Sequence, residues 1–271
     1  MLFHKGKADG SGYSYSSLNA ARSAISAVAK INGVPAGQND MVCLFMKSAA
    51  KQQSQFPKTN FTWDPDAFLN TFNVWGHNNQ LPLSYLTKKV AGLLLILSGQ
   101  RFQTIDCLDI RNMSLTATEV IFKIGDPLKT TTIRHHVQNL GFKAFPQNKK
   151  LCIVDAITTY LRLTSKLRAR SDQNKLLLTT RKPFGPASKA TITRWIRDLM
   201  SESGISKDLF TTYSIRSAST SKAFTTGMAW ERMKKSIGWK RESTFTKHYN
   251  KTILPVGTFG ETILNSYTGN R

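Results

Sequence analysis

Apolar residues recur at helical spacing along most of this chain. Leu18, Ala21, Ile25, Val28 and Ala29 follow intervals of three and four, with Ser16-Ser17 offering an N-cap and Asn32-Gly33 a stop. A second helix is predicted over Asp40 to Gln52, with Met41, Leu44, Phe45 and Ala49 on one face. Lys51 to Asn60 has the composition of a linker, which places a domain boundary near residue 57 and divides the chain into 1–57 and 58–271. Beyond it the pattern predicts helices over Asp64 to Phe72 and Leu83 to Ser98, the second strongly apolar and closed by Gly99. Val120 to Ile124 and Thr130 to Ile133 are β-branched runs around Gly125-Asp126-Pro127, a hairpin pattern with Lys129 beside the turn. Helical spacing returns over Ile153 to Leu163, Ser188 to Glu202, Ser214 to Thr225, Ala229 to Ile237 and Glu242 to Tyr249. The expected fold class is mainly α (α+β): a small helical domain and a larger helical domain with one small antiparallel sheet.

Charge narrows the partner. The 271 residues hold 38 Lys and Arg against 16 Asp and Glu, a net charge of +22 with pI near 10.1, which points to a polyanion. Residues 1–57 carry Lys5, Lys7, Arg22, Lys30, Lys47 and Lys51 against Asp9 and Asp40, so both parts are basic and both are expected to touch double-stranded DNA. The longest apolar run, Val90 to Ser98, is too short to span a bilayer, so no membrane partner is expected, and the N-terminus shows no leader-like apolar core. Cys43, Cys107 and Cys152 are odd in number, far apart and without zinc-ligand spacing. They read as core thiols of an intracellular protein, in the nucleus of a eukaryote or in cytoplasm or nucleoid otherwise, with no metal site.

Candidate chemistry lies toward the C-terminus. Phe210-Thr211-Thr212-Tyr213-Ser214-Ile215-Arg216 is followed by Gly238-Trp239 and Phe245-Thr246-Lys247-His248-Tyr249, while Gly99-Gln100-Arg101 supplies a second arginine upstream. Two fixed guanidiniums can grip the non-bridging oxygens of one phosphodiester, and a tyrosine hydroxyl can attack its phosphorus. The Ser188 to Glu202 helix turns Ile192, Trp195, Ile196, Leu199 and Met200 inward, which leaves Lys189, Thr191, Arg194 and Arg197 outside for a major groove. Lys143, Lys149, Lys150, Lys166, Arg168, Arg170, Arg181 and Lys182 read as phosphate contacts, which fix position and carry little sequence information.

The joint order of Arg101, Lys129, the Tyr-Ser-Ile-Arg box, Gly238-Trp239 and Phe245-x-x-x-Tyr249 resembles the tyrosine recombinase (phage-integrase) family. Within it, Leu94 to Asp109, Leu128-Lys129-Thr130-Thr131, Leu151 to Val154 and Ala190 to Ile196 look like the enzymes of DIRS-like and Crypton-like eukaryotic mobile elements. The resemblance implies that 1–57 is a helical, SAM-like core-binding domain and 58–271 the catalytic domain with a C-terminal tail. It implies Arg101 as the first catalytic arginine, with Thr104 where the family often has an acid, so that Asp106 or Asp109 would orient it. Lys129 matches the hairpin lysine that protonates the departing oxygen, with Lys123 as its competitor. The second box normally reads His-x-x-Arg and here is Tyr213 and Arg216; a phenol donates a hydrogen bond well and is a weak base at neutral pH. Trp239 would donate from its indole, and Tyr249, 33 positions after Arg216, would be the nucleophile. The activity implied is site-specific DNA cleavage and rejoining through a 3′-phosphotyrosine, without cofactor, by a tetramer gripping DNA as a C-shaped clamp. Relaxation by a type IB topoisomerase-like cycle, or DNA binding by a descendant without chemistry, are the rival expectations, the latter resting on Tyr213.

Overall fold

The computed structural model describes residues 13–52, 60–125, 139–169, 174–239 and 242–254. The chain divides into two compact units, Met1–Thr59 and Asn60–Arg271. In the first, α1 (Tyr15–Val28) and α2 (Asp40–Gln52) flank a short antiparallel pair, β1 (Lys30–Ile31) and β2 (Val34–Pro35). Ser14, rather than Ser16 or Ser17, caps α1: its backbone is extended and its hydroxyl accepts from the Ser17 amide at 3.2 Å, whereas the two later serines are already helical. Leu18 and Met46 are the buried apolar anchors of these helices.

The second unit is built around one helix. It contains β3 (Phe61–Thr62), α3 (Asp66–Trp75), α4 (Leu83–Ser98), α5 (Phe102–Asp106), β4 (Met113–Leu115), β5 (Glu119–Phe122), β6 (Leu140–Lys143) and α6 (Ile153–Ala169). There follow α7 (Lys189–Glu202), α8 (Ser214–Thr225), α9 (Trp230–Ile237), α10 (Glu242–His248) and β7 (Thr252–Ile253). Helix α4 packs against α6, α7 and α8, which explains why Val90, Leu93, Leu94 and Leu95 are fully buried on every side rather than along a stripe. Lys89 is buried in the same helix and donates to Phe72 O at 3.2 Å and Gly76 O at 3.0 Å, the free carbonyls at the end of α3. Burial lowers its pKa to about 8, with Asp155 opposing that shift and Lys150 adding to it.

The sheet differs from the predicted hairpin. Strand β5 pairs antiparallel with β4 on one side and β6 on the other, in register Val120 with Phe142 and Phe122 with Leu140. Val120 and Phe122 point into the core, as the alternation requires. The Thr130 to Ile133 run and Lys129 lie outside the described residues. Helix α6 runs six residues past the predicted end at Leu163, because Thr164 and Arg168 turn out to be buried rather than solvent-facing. The sequence pattern does not predict the five-residue α5, the short pair β1–β2, the strands β4 and β6 that flank β5, or the parallel pairing of β3 with β7, in which Phe61 opposes Thr252.

Candidate active site

Two left-handed glycines deliver the chain to the site. Gly99 (φ 59°) closes α4 and hands over to Gln100 and Arg101; an added Cβ there would meet Thr220 Cγ2 at 3.1 Å. Gly238 (φ 74°) closes α9 and turns the chain into Trp239. Gln100 Nε2 donates to Ser236 O at 3.2 Å and Ile237 O at 3.4 Å, so the residues before Arg101 and before Trp239 are bound to each other. Ser219 Oγ donates to Ile96 O at 2.5 Å and holds α8 against α4. Gln100 and Ser219 were not singled out from the sequence; the adjacency of Gln100 to Arg101 is the one signal that could have marked it.

Helix α8 carries Arg216, which is 4% exposed. Its guanidinium carbon lies 5.3 Å from the Trp239 ring centre and 5.2 Å from that of Tyr249. The two rings are 5.1 Å apart, and Trp230 stacks on Trp239 at 5.8 Å and 16°. Phe245, one turn before Tyr249, fills the space below at 5.4 Å from Trp239. Aromatic faces are attractive to a cation and supply no hydrogen-bond acceptor in the ring plane. Accordingly Arg216 Nε, Nη1 and Nη2 and Trp239 Nε1 are all buried with no hydrogen-bond partner among the described residues. Burial, followed by the positive charge of Arg101, brings the Arg216 pKa down to about 10, with Tyr249 working in the opposite direction. A cluster of buried donors beside a second arginine is built to meet an anion with several acceptor oxygens.

The structure therefore gathers Arg216, Trp239 and Tyr249 in direct ring contact and brings Arg101 close enough to act electrostatically on Arg216. Arg101 is half-exposed and forms no ion pair with Asp106 or Asp109 among the described residues. Asp109 is engaged by Arg111, at 3.1 Å from Nε and 2.8 Å from Nη2. Tyr213 is 59% exposed, with its ring edge-on to Phe102 at 5.4 Å, next to Arg101. It is a rim residue and not a core aromatic.

The basic residues separate into two groups. Lys189, Arg194 and Arg197 are exposed on α7 opposite the buried Ile192, Trp195, Ile196, Leu199 and Met200, while Thr191 is half-buried with its hydroxyl 3.1 Å from Ser188 Oγ at the cap. Lys143 and Lys166 are exposed. Arg168 is a correction to the predicted phosphate contacts: it is 8% exposed, and its Nε, Nη1 and Nη2 donate to Thr164 Oγ1, Lys175 O and Leu176 O at 3.0, 2.6 and 2.5 Å. Those carbonyls belong to a chain segment with no helix or strand to satisfy them, so the guanidinium serves as their donor. Among the described residues no cluster of His, Cys, Asp or Glu could hold a metal ion, and no helix is long and apolar enough to cross a membrane.

No protein-family model matches the chain, and no curated protein matches it. Solved structures do. The XerH site-specific recombinase bound to its difH substrate in a pre-cleavage complex superposes with a TM-score of 0.53 at 12% identity, over 99% of this chain and 75% of that one. Its post-cleavage complex on a palindromic difH substrate gives 0.57 at 12%, over 93% and 64%. The Tn1549 transposon integrase in complex with circular intermediate DNA gives 0.55 at 12%, over 94% and 80%. The chain thus has the fold of the tyrosine recombinases and integrases, mainly helical with a small three-stranded antiparallel sheet.

Proposed function

We propose that this protein cuts and rejoins DNA at specific sites through a covalent tyrosine intermediate, serving integration, excision or recombination of a mobile element. The observation that carries the reading is the set of buried, unpartnered donors on Arg216 and Trp239 packed against the Tyr249 ring. A scissile phosphodiester is the ligand that uses all of them. In the proposed step the Tyr249 oxygen attacks phosphorus, its proton passes to solvent, and a bond forms to the 3′-phosphate. The bond to the 5′-oxygen breaks, and Lys129 delivers the proton that oxygen takes up. Arg101 and Arg216 balance the charge growing on the phosphorane, and Trp239 and the rim hydroxyl of Tyr213 donate hydrogen bonds to it. The phosphotyrosine keeps the energy of the broken bond, so a 5′-hydroxyl from another strand can reverse the step without a nucleotide cofactor.

The exposed α7 face, with Lys189, Arg194 and Arg197, would enter the major groove, and Lys143 and Lys166 would contact phosphates. The N-terminal unit would act as the core-binding domain. Exchange between two duplexes needs four active sites, so the acting species is proposed to be a tetramer on DNA, inside the cell. The eukaryotic mobile-element affinity suggested by the sequence belongs to this proposal as well. A second reading, DNA binding without chemistry, draws on Tyr213 standing on an exposed rim where the family pattern has histidine.

Incubation with a nicked suicide substrate followed by denaturing electrophoresis separates the two. Wild type should give a covalent protein–DNA band and Tyr249→Phe none, with DNA affinity kept because one oxygen is lost. A band that persists in Tyr249→Phe shows that another residue is the nucleophile. No band from wild type on a confirmed target site leaves the binding reading.

A further inference from the structure

The hydroxyl of Ser221 touches the backbone on both sides of Asn250. It donates to Tyr249 O at 2.6 Å and accepts from the Lys251 amide at 3.1 Å, and the residue is fully buried. The Tyr249 amide in turn donates to Phe245 O at 2.7 Å. Both peptide groups of the residue that carries the phenol are therefore pinned, one to the end of α10 and one to α8. The chain beyond is held as well: the Thr252 amide donates to Asn60 O at 3.0 Å and that of Leu254 to Thr62 O at 2.8 Å, closing β7 onto β3.

Ser221 lies five residues beyond Arg216 in the same twelve-residue helix. The helix is itself anchored at both ends. At its start Ser214 Oγ accepts from Trp63 Nε1 at 2.8 Å. Toward its end Lys222 Nζ reaches Asp64 Oδ1 at 2.9 Å and Asp66 Oδ2 at 2.9 Å. A rigid helix whose one face presents the guanidinium and whose other face grips the tyrosine backbone sets the separation between phosphate ligand and nucleophile. In-line attack is sensitive to that separation at the ångström scale.

We propose that Ser221 is a positioning residue for Tyr249: its hydroxyl acts as a clamp that registers the nucleophile against Arg216. The proposal rests on the cleavage reading above, and it assigns no contact between Ser221 and DNA. Loss of the hydroxyl should slow the covalent step and leave DNA binding alone, because none of the proposed DNA-contacting side chains is changed.

The test compares Ser221→Ala, Ser221→Cys and Ser221→Thr with wild type, measuring the single-turnover rate of adduct formation at saturating suicide DNA, DNA affinity, melting temperature, and hydrogen exchange over residues 249–254. Alanine and cysteine should lower the rate by roughly 10- to 100-fold, the scale expected for misplacement of a reacting group. Affinity should be unchanged, exchange at the Lys251 amide should rise, and threonine, which keeps the hydroxyl, should recover most of the rate. A substrate with sulfur in place of the 5′-bridging oxygen needs no acid at the leaving group; the defect should persist on it in full, since Ser221 acts on the nucleophile. If alanine does not fold, the near-isosteric cysteine carries the comparison. An active wild type with both variants within about twofold of its rate overturns the clamp and leaves the cleavage reading standing. A rate loss that merely tracks the unfolded fraction, or that vanishes on the sulfur substrate, also overturns it. A wild type that binds its site and forms no adduct overturns the cleavage reading instead, which the exchange data on residues 249–254 do not depend on.

Discussion

Arg168 and Arg216 lie in the same unit, each on a helix, each less than a tenth exposed and each beside aromatic rings. Arg168 stands over Tyr160 and gives its donors to a hydroxyl and two backbone carbonyls. Arg216 stands over Trp239 and Tyr249, its nitrogens meet no acceptor in hydrogen-bond geometry among the described residues, and the Tyr249 hydroxyl is the one nearby group among them that favours its charged form. Burial alone therefore does not mark a functional arginine. Burial lowers the Arg168 pKa as well, with Tyr160 opposing, but its donors have acceptors and it acts as a brace between α6 and the segment after it. The second is penalised by burial and then by the adjacent charge of Arg101, with Tyr249 opposing, and in the proposed reaction an incoming phosphate would relieve that penalty.

The comparison is broken most directly by replacing each arginine with methionine, which keeps volume and removes charge. Arg216→Met should reduce adduct formation by about 10²- to 10³-fold or more, the scale of losing a preorganised charge donor. A variant that retains near wild-type cleavage would remove Arg216 from the mechanism. The same change should raise the melting temperature of the free protein. A guanidinium whose pKa is brought down to about 10 on folding, by burial above all, is disfavoured in the folded state at neutral pH, a cost that methionine does not carry. Arg168→Met should do the reverse: destabilise by about 2–4 kcal/mol because Lys175 O and Leu176 O lose their donor, with cleavage normal per folded molecule. Chemical denaturation of both variants checks the opposite signs.

Lys89 sharpens the comparison as an intermediate case, a buried cation with two carbonyl acceptors whose pKa still falls to about 8. Below pH 8 it is protonated whether the chain is folded or not. Between 8 and its ordinary value of 10.5 the unfolded chain holds a proton that the folded chain has released. Stability from this group therefore rises with pH across that window. Lys89→Met should flatten the slope, whatever its net effect on stability, and denaturation midpoints measured from pH 7.5 to 10 show it. The smallest effect belongs to the exposed cations. Arg194→Ala should lower the slope of log affinity against log salt by about 0.9 and loosen site preference, whereas Lys166→Ala should weaken all sequences alike. Equal loss of preference in both would place α7 away from the groove.

Helices with strong local signals were legible in advance. Leu83–Ser98 and Ser214–Thr225 have the bounds that Gly99 and the Tyr-Ser-Ile-Arg box imply, because caps and periodicity act over a few residues. Helical spacing predicts α6 only to Leu163, with Lys166 and Arg168 beyond it as phosphate contacts, and no local pattern tells that the segment at residues 175–176 needs donors. The β3 and β7 strands, two residues each and about 190 positions apart, carry no periodic signal at all.

By itself the sequence determined the inventory of chemistry: a basic chain, two arginines in recognisable contexts, an indole and a tyrosine in a set order. Those are properties of residue type and short-range spacing. Only the tertiary structure decided which buried guanidinium keeps its donors unsatisfied, that Tyr213 stands on the rim, and that Ser221 grips the backbone of Tyr249. The reason is physical: whether a polar group is paired depends on carbonyls and rings delivered by distant segments, and those arrive through packing of the core around α4, which no local stretch encodes.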